Sequence, residues 1–478
     1  MSKMQAEPFT PGYFESSGTV TLESGQTIPF NTVCQDNVFY DEEGKAVGSM
    51  FTYSYFRSDV ENPETRPVIF HFNGGPGSGS LWLHAGLFAP WRVKFDDPEA
   101  VAQPFIPPYR VENNELCLID IADLVFIDPV ACGYGRLLDP AAVERFFGMD
   151  ADADSFNDLI HSWLGRYDRW QSPKFLLGES YGTNRACLLA ESLSGSAQDE
   201  YSPVNLNGLI LLGNAIGTGD GVNNYEGIEN TLILLPTAAA TNWYHNDVPG
   251  TLEDFVEQCY AFCREEYATA LYQGDFLSAE KKEAIAERVA YFSGLSKELV
   301  LEQNLRLEKM SYLKQVLKDR GLEVGLYDSR FTLPLNRDFS MANMVRDDAA
   351  QASFAPPFMV AISGPMKRWL DITFSRKFYA SSSTASRNWK RQSTRHAARS
   401  LASSMRRNPR MQVLFSSGYF DMQCKMGEAR YMVSHAGLPL ERVKMSVYPS
   451  GHMSYLGEVG AKQFADDVRA MVSEALKP

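Results

Sequence analysis

A glycine–serine–glycine pattern at the end of an apolar run constrains the fold of this chain more than any other stretch. Residues 174–185 read KFLLGESYGTNR, in which an apolar run is followed by the pattern G-x-S-x-G and then by a helix start. A sharp strand-to-helix turn of this form exposes a serine hydroxyl at the end of a strand. Gly178 and Gly182 flank Ser180, where close contact between strand and helix leaves no room for a Cβ. The stretch therefore predicts a nucleophilic serine.

Strands and helices alternate over the first half of the chain. The apolar runs RPVIFHF, DLVFIDP and LNGLILLG, at 66–72, 123–129 and 206–213, have the composition of buried strands. Residues 141–167, before the serine strand, carry apolar side chains near helical spacing. The alternation predicts a mostly parallel sheet, and two strand–turn–strand patterns between 18 and 57 predict an antiparallel edge. With the serine turn, the chain is predicted to have the α/β-hydrolase fold, a mixed and mostly parallel sheet flanked by helices.

The second half of the chain predicts an insertion into this fold. Residues 221–400 are rich in helical patterns, and we predict a helical cap over the active site there. Residues 1–220 then form the first part of the hydrolase core, and residues 401–478 form its last part with two strands and a final helix. A basic stretch at 387–410 places Arg391, Arg395 and Arg399 on one helix face. We interpret it as a solvated helix face rather than as an anion-binding patch.

Charge and composition exclude several kinds of partner. The chain of 478 residues has a formal net charge of −14, so nucleic acid is not expected as a partner. No apolar run reaches the length of a membrane span, and the first residues do not resemble a signal peptide. We therefore expect a soluble, cytoplasmic protein. Seven cysteines without a repeating spacing predict neither a disulfide framework nor a metal site, and no cofactor is implied.

Ser180 needs a base and a group that orients the base, because a serine hydroxyl is a poor nucleophile near neutral pH. In the predicted fold the chain order is serine, then an acid, then histidine. His452 follows a predicted strand in the stretch PSGHM, and Asp421 ends the stretch FSSGYFD after another strand. The other histidines precede the serine, fall in or near the predicted cap, or have a helical setting. We therefore predict Ser180, Asp421 and His452 as a catalytic triad.

A glycine-rich loop follows the strand at 66–72 and reads NGGPGSGS over residues 73–80. It lacks the G-K-[ST] ending of a phosphate-binding loop. In a hydrolase sheet, a loop in this position supplies one backbone N–H group to the oxyanion hole, and the residue after the serine supplies the other. The sequence therefore predicts the N–H groups of Gly75 and Tyr181 as oxyanion donors.

Six stretches together resemble the serine carboxypeptidase family, in the family's order. They read HFNGGPGSGSLW, DLVFIDPVACGYG, FLLGESYG, GLILLGNAIG, VLFSSGYFDMQC and PSGHM. The resemblance covers roughly residues 30–478, and the cap stretches LPTAAATNWYH, FSGLS, NLRLEKM and GLYDSRF look like bacterial members. The resemblance implies the catalytic triad and the oxyanion donors that the motifs predict without it.

The resemblance also implies how a substrate binds. Asn73, Gly74 and Glu179 match positions that bind the free C-terminal carboxylate of a peptide, and Cys424 and Met453 match positions on the leaving-residue side. Two carboxylates repel each other, so this role requires that Glu179 is protonated. Family members accordingly favour acidic pH. They are often dimeric, so a homodimer is one expected assembly.

Three features depart from the family's pattern. Ser78 stands where better-known eukaryotic members have a disulfide-forming cysteine, which fits a reducing compartment. Those members also have a further glutamate shortly after the glycine loop, whereas the stretch LWLHAGLFAPWRV has no acid and His84 is its nearest polar residue. A charged histidine could bind a carboxylate directly, so carboxylate binding either works differently here or is lost. Third, the family is mostly secreted or lysosomal, and no signal peptide is visible.

The sequence thus predicts a serine carboxypeptidase that acts on a peptide or small acyl substrate through an acyl-enzyme. The same triad could instead serve an esterase or an acyltransferase, and the altered carboxylate pocket keeps that alternative open. A non-catalytic binding protein would require a broken triad, but all three members are present.

Overall fold

The computed structural model describes residues 8–97, 99–101, 106–195, 202–217, 227–336, 348–390 and 392–477. The predicted boundary between residues 220 and 221, and Arg391 of the basic stretch, lie outside these ranges.

The described ranges contain fourteen strands. They are β1 (Tyr13–Thr21), β2 (Thr27–Tyr40), β3 (Ala46–Arg57), β4 (Val68–Phe72), β5 (Trp91–Lys94), β6 (Arg110–Asn113), β7 (Asp123–Asp128), β8 (Arg136–Leu137), β9 (Lys174–Glu179), β10 (Gly208–Leu212), β11 (Leu322–Val324), β12 (Thr332–Pro334), β13 (Gln412–Gly418) and β14 (Val443–Tyr448). One sheet has the order β1-β2-β3-β7-β4-β9-β10-β13-β14, with β8 on β3. The first four strands of that order pair antiparallel, and from β7 to β14 all pairs are parallel. The predicted mixed sheet of the α/β-hydrolase fold is therefore confirmed.

The same ranges contain fifteen α-helices. They are α1 (Leu81–Leu83), α2 (Met149–Arg166), α3 (Tyr181–Leu193), α4 (Ile228–His245), α5 (Leu252–Phe262), α6 (Ala268–Gln273), α7 (Ala279–Ser293), α8 (Lys297–Glu302), α9 (Lys309–Gln315), α10 (Ala349–Ser363), α11 (Pro365–Trp369), α12 (Ser383–Asn388), α13 (Ala397–Arg407), α14 (Met426–His435) and α15 (Glu458–Ala475). No helix among the described residues combines the length and the apolar character that crossing a membrane requires.

The central strands are buried on both faces, because helices cover the sheet from two sides. Every residue of β4, β7, β9 and β10 is buried. Side chains of successive strand residues point to opposite faces. Leu176 accordingly packs in the cluster that holds Phe156 of α2, whereas Leu177 packs in the cluster that holds Phe464 of α15. This two-sided burial fixes the register of β9 and therefore the position of the serine that follows it.

The helices between β10 and β13 do not all form one separate layer. Helices α4 to α9 contribute to an apolar cluster of their own, together with Met422. Phe354 and Phe358 of α10 instead belong to the same cluster as strand residues of the main sheet, and α13 packs against α3. The division into residues 1–220, 221–400 and 401–478 stays a prediction.

Local signals in the sequence explain where α7 begins and ends. In α7, Ser278 accepts a hydrogen bond from the N–H of Lys281 at 3.3 Å, and the helix stops at Gly294 with φ 75°. A serine N-cap and a left-handed glycine after the last turn are the favoured start and stop of a helix. Ile285, Val289 and Phe292 recur at helical spacing and are buried in the cluster of α4 to α9.

We expect Leu176→Ala to lower the free energy of unfolding by about 2–5 kcal/mol, because it opens a cavity beneath the serine turn. Leu176 is 0% exposed. Leu440→Ala is the matched control, since Leu440 is 62% exposed and its loss should change stability by about 0.5 kcal/mol or less. Urea denaturation of both variants measures the difference. Equal stability of the two variants would contradict the described core.

Candidate active site

Ser180 occupies the turn between β9 and α3 in a strained conformation. Its φ and ψ are 60° and −127°, a region that non-glycine residues rarely adopt. The Ser180 N–H donates to the carbonyl of Leu212 at 2.8 Å. Its own carbonyl accepts from the N–H and the hydroxyl of Thr183, at 2.9 and 2.7 Å. These bonds hold the turn that the G-x-S-x-G pattern predicts and leave the serine side chain partly exposed.

The glycines around Ser180 are required by contact between backbones. A Cβ on Gly178 would lie 2.2 Å from the carbonyl oxygen of Gly182. A Cβ on Gly74 would lie 2.5 Å from the backbone nitrogen of Tyr181 and 2.6 Å from the carbonyl oxygen of Glu179. The glycine-rich loop after β4 therefore lies directly on the serine turn.

This contact places Gly74, the neighbour of the predicted donor Gly75, against the backbone nitrogen of the predicted donor Tyr181. Tyr181 is the first residue of α3, so its N–H has no carbonyl partner within the helix, and the positive end of the helix dipole lies there. Gly75, next to the contacting Gly74, has a φ of 109° that favours glycine. The arrangement suits a negatively charged oxygen, and the donor roles of Gly75 and Tyr181 stay predictions.

His452 and Asp421 form a buried hydrogen-bonded pair. His452 Nδ1 lies 2.8 Å from Asp421 Oδ2, and the two residues are 3% and 0% exposed. The other oxygen of Asp421 accepts from the N–H groups of Gln423 and Cys424, both at 2.8 Å. An ionised carboxylate only accepts hydrogen bonds, so Nδ1 of His452 is the donor. The bond leaves Nε2 as the ring nitrogen that can accept a proton.

The charge of Asp421 controls the protonation of His452. Burial alone would lower the pKa of His452, but the attraction of the Asp421 carboxylate outweighs it and raises this pKa above its usual value. The pair therefore favours the imidazolium form that results when a serine proton is taken up.

Cys424 lies beside this pair. Donor atoms of Asp421, Cys424 and His452 lie within 4.8 Å of one another, which is close enough for a shared metal ion. The oxygens of Asp421 are already used by three hydrogen bonds, so we interpret the group as a hydrogen-bonded pair beside a thiol. Met453 is buried immediately after His452. The predicted substrate contacts of Cys424 and Met453 stay predictions.

A segment between α9 and α10 braces the histidine loop. The His452 N–H donates to the carbonyl of Tyr327 at 2.6 Å, and a Cβ on Gly451 would lie 2.4 Å from the Cβ of Asp328. Arg330 pairs with Asp328 at 2.6 Å and donates to the carbonyl of Pro449 at 3.1 Å. These bracing residues were not predicted as site residues, although they belong to the stretch GLYDSRF.

Asn73 has a buried side-chain donor beside Glu179 and Tyr455. Its backbone carbonyl accepts from Arg185 at 2.7 Å, and its Oδ1 accepts from the N–H of Leu83 at 3.1 Å. Arg185 is in turn held by Asp152, at 2.7 and 3.0 Å. The Nδ2 atom of Asn73 is buried and has no hydrogen-bond partner among the described residues. A buried amide without a partner is costly, so this donor is available to a ligand.

Glu179 is a buried carboxyl next to the serine. Burial raises its pKa to about 7, although His452 and the hydroxyl of Tyr455 favour its charged form. The Tyr455 hydroxyl donates to Glu179 Oε2 at 2.8 Å. Glu179 is therefore mostly protonated below pH 7, as its predicted role requires. Tyr455 was not predicted as a site residue, since its sequence context carries no signal for this contact.

The expectation that a charged His84 could bind a carboxylate is wrong. His84 is 1% exposed, and burial lowers its pKa to about 3. Its ring packs on Tyr53 and Phe126, and Nε2 lies 2.7 Å from the hydroxyl of Tyr55. His84 is thus a neutral core residue above pH 3.

The basic stretch is held by acids of the core. Arg395 pairs with Asp150 and Asp154, at 3.2 and 3.1 Å, and donates to the hydroxyl of Ser192 at 2.6 Å. The predicted solvated helix face is therefore wrong for Arg395, because this residue precedes α13 and its side chain is mostly buried in ion pairs, whereas Arg399 lies within the helix. Because these ion pairs use the charge of Arg395, an anion-binding patch is not favoured either.

We expect Gly74→Ala to reduce catalytic turnover at least ~100-fold, because the added Cβ would displace the glycine loop from the N–H of Tyr181. Gly165→Ala in α2 is the matched control, since the nearest atom to its Cβ lies 4.0 Å away. Turnover of an activated ester measures the effect. Equal activity of the two variants would contradict the contact between loop and turn.

The family model described as serine carboxypeptidase matches residues 35–463. Serine carboxypeptidase-like 33 of Arabidopsis thaliana is 28% identical over 181 residues, which cover 36% of this chain and 34% of that relative. The pheromone-processing carboxypeptidase kex1 of Aspergillus oryzae is 26% identical over 179 residues, which cover 37% of this chain and 26% of that relative.

A solved structure supports the same fold. The prohormone-processing carboxypeptidase from Saccharomyces cerevisiae aligns with a TM-score of 0.55 and 13% identity, over 93% of this chain and 92% of that one. The sequence alignments, in contrast, span only about a third or less of the two curated relatives. These relatives are from a plant and a fungus, and the likeness to bacterial members stays a prediction.

Proposed function

The chain belongs to the serine carboxypeptidase family, and we propose that it hydrolyses the C-terminal bond of peptides through an acyl-enzyme on Ser180. The observation that carries this proposal is the pair of donors beside the serine. Asn73 Nδ2 is buried beside Glu179 and makes no hydrogen bond of normal geometry among the described residues, and Glu179 is a buried carboxyl whose pKa is raised to about 7 by burial. An esterase for uncharged substrates has no need of two such donors.

The triad residues would act in the usual order of a serine hydrolase. The hydroxyl of Ser180 attacks the scissile carbonyl while Nε2 of His452 takes its proton, and Asp421 holds the ring through Nδ1. The N–H groups of Gly75 and Tyr181 stabilise the oxyanion. His452 then protonates the leaving amine, so the C–N bond breaks and the acyl group stays on Ser180. Water, deprotonated by His452, releases the acid and restores the serine.

The carboxylate of the substrate would be bound by neutral donors. Asn73 Nδ2 and the protonated carboxyl of Glu179 can each donate one hydrogen bond to it. An ionised Glu179 would instead repel the substrate. Binding of free-acid peptides is therefore expected to be constant below pH 7 and to weaken as Glu179 loses its proton above it.

Two other functions are distinguished from this proposal by the substrate comparison described below. The same triad could act on esters or transfer the acyl group to an acceptor, in which case the donors at Asn73 and Glu179 would not discriminate between substrates. A pure binding protein is disfavoured, because the bond between His452 and Asp421 is intact. Assembly as a homodimer and a cytoplasmic location are likewise proposals from the sequence.

An N-blocked dipeptide with a free C-terminal carboxylate is expected to have a kcat/KM at least ~100-fold above that of its C-terminal amide at pH 6. Two hydrogen bonds to a charged group, at about 1.5–3 kcal/mol each, account for this factor. Ser180→Ala should abolish both reactions. If free acid and amide react alike while an ester is cleaved, the triad acts but the proposed carboxylate site does not.

Glu179→Gln should remove the pH dependence of binding. The glutamine amide can accept from Tyr455 and donate to the substrate, so it resembles the protonated carboxyl but does not titrate. We expect the KM for the free-acid dipeptide to stay near that of the parent at pH 5.5 and to lose its rise above pH 7.

Asp348→Asn is the matched control for this change. Asp348 is a buried acid whose pKa is raised to about 6 by burial, and it bonds the N–H groups of Leu326 and Gln351. The rise in KM above pH 7 should persist in this variant. A rise that persists in Glu179→Gln as well would assign it to another group.

A further inference from the structure

We propose that Tyr455 is a positioning residue for substrate binding, which holds Glu179 so that its proton sits on Oε1 and is offered to the substrate carboxylate. The inference rests on the proposed function, because it concerns the same carboxylate site. It adds a residue that acts through Glu179 rather than on the reacting atoms.

The Tyr455 hydroxyl forms its hydrogen bond with one oxygen of Glu179. The phenol donates to Oε2 at 2.8 Å, and Tyr455 and Glu179 are each 3% exposed. The Tyr455 ring is fixed in a slot beside Gly86, where a Cβ would come within 2.6 Å of it. The ring of Phe358 closes another side at a centroid distance of 6.4 Å. The tyrosine ring is therefore packed on two sides, and its hydroxyl bonds one of the two carboxyl oxygens.

The proton of a neutral carboxyl must be on one oxygen only. If Oε2 accepts from the tyrosine as a carbonyl oxygen does, the proton of Glu179 is on Oε1. Burial raises the pKa of Tyr455 well above its usual value, so the phenol keeps its own proton and stays a donor. Oε1–H is then the group of Glu179 that can turn to a ligand, beside the Asn73 amide, whose Nδ2 makes no hydrogen bond of normal geometry among the described residues.

The charged groups near Glu179 have opposite effects on its pKa. His452 favours the ionised form of Glu179, and Asp421 disfavours it. Tyr455 also favours the ionised form, because its hydroxyl donates to the carboxyl. Removal of the Tyr455 hydroxyl should therefore have two effects of opposite sense. At low pH, the proton of Glu179 is no longer restricted to Oε1. In addition, the pKa of Glu179 rises, so the residue stays protonated to a higher pH.

The test is Tyr455→Phe in the full chain, assayed with the free-acid dipeptide, its amide and an ester from pH 5 to 9. At pH 5.5 we expect KM for the free acid to rise about 3- to 10-fold, the loss of one hydrogen bond. The rise in KM above pH 7 should move up by about 0.5–1 pH unit. The kcat/KM for the ester should stay within about twofold of the parent, since a positioning role concerns only the carboxylate.

Tyr448→Phe is the matched control. Tyr448 is also buried, and its hydroxyl donates to a carboxylate oxygen, that of Asp467, at the same distance of 2.8 Å. This variant should leave KM and its pH dependence unchanged, and melting curves of both variants report any loss of stability. If Tyr455→Phe does not fold, infrared spectra of the parent protein and of Glu179→Gln replace it. The proposal then predicts that the carbonyl stretching band of protonated Glu179 lies at a lower frequency than that of a carboxylic acid whose carbonyl oxygen accepts no hydrogen bond.

Each outcome separates the inference from the proposed function. If the parent protein does not prefer the free acid, the proposed function fails and the inference with it. If the parent prefers the free acid but Tyr455→Phe matches it in KM and pH dependence, only the inference is overturned. The inference is also overturned if the rise in KM begins at a lower pH in Tyr455→Phe than in the parent. That result would mean that the protonated Glu179 donates its hydrogen bond to the tyrosine oxygen, instead of accepting one from the tyrosine hydroxyl.

Discussion

No side chain fits between the glycine-rich loop and the serine turn, and the rest of the site depends on that contact. Gly74 lies against the backbone of Glu179 and Tyr181, and Gly178 lies against Gly182. Backbone contact at this distance orders the N–H groups of the loop and of the first turn of α3 before any substrate arrives. Electrostatic stabilisation by such preorganised donors is usually the largest single contribution to catalysis. The same contact places Asn73, the residue before Gly74, next to Glu179.

Two buried carboxyls near the serine have different roles because their surroundings differ. Asp421 accepts three hydrogen bonds and orients His452 as an ionised group. Glu179 accepts one strong bond from Tyr455, and burial raises its pKa to about 7. One acid thus places a negative charge beside the histidine, while the other is mostly neutral below pH 7, as its proposed role toward a substrate carboxylate requires. Hydrogen-bond number and burial decide which role each acid can take.

Much of the fold was predictable, because strands and turns leave local patterns in the sequence. The run before Ser180 and the glycines that flank it predict the strand, the turn and the helix that the structure contains. Asp421 and His452 were predicted from their places after strands, and the structure brings them within 2.8 Å of each other. Tyr455 could not be predicted, since only the folded chain brings it to Glu179, 276 residues away. Burial of His84 among aromatic rings depends on tertiary packing in the same way.

The most direct test of the carboxylate site is the number of protons taken up when a free-acid peptide binds. Titration calorimetry of Ser180→Ala with the N-blocked dipeptide, in buffers of different ionisation enthalpy, measures this number without turnover. With a pKa of about 7 for Glu179, we predict uptake of about one proton at pH 8 and almost none at pH 5. The C-terminal amide should take up none at either pH. Binding of the free acid without proton uptake at pH 8 would contradict the account.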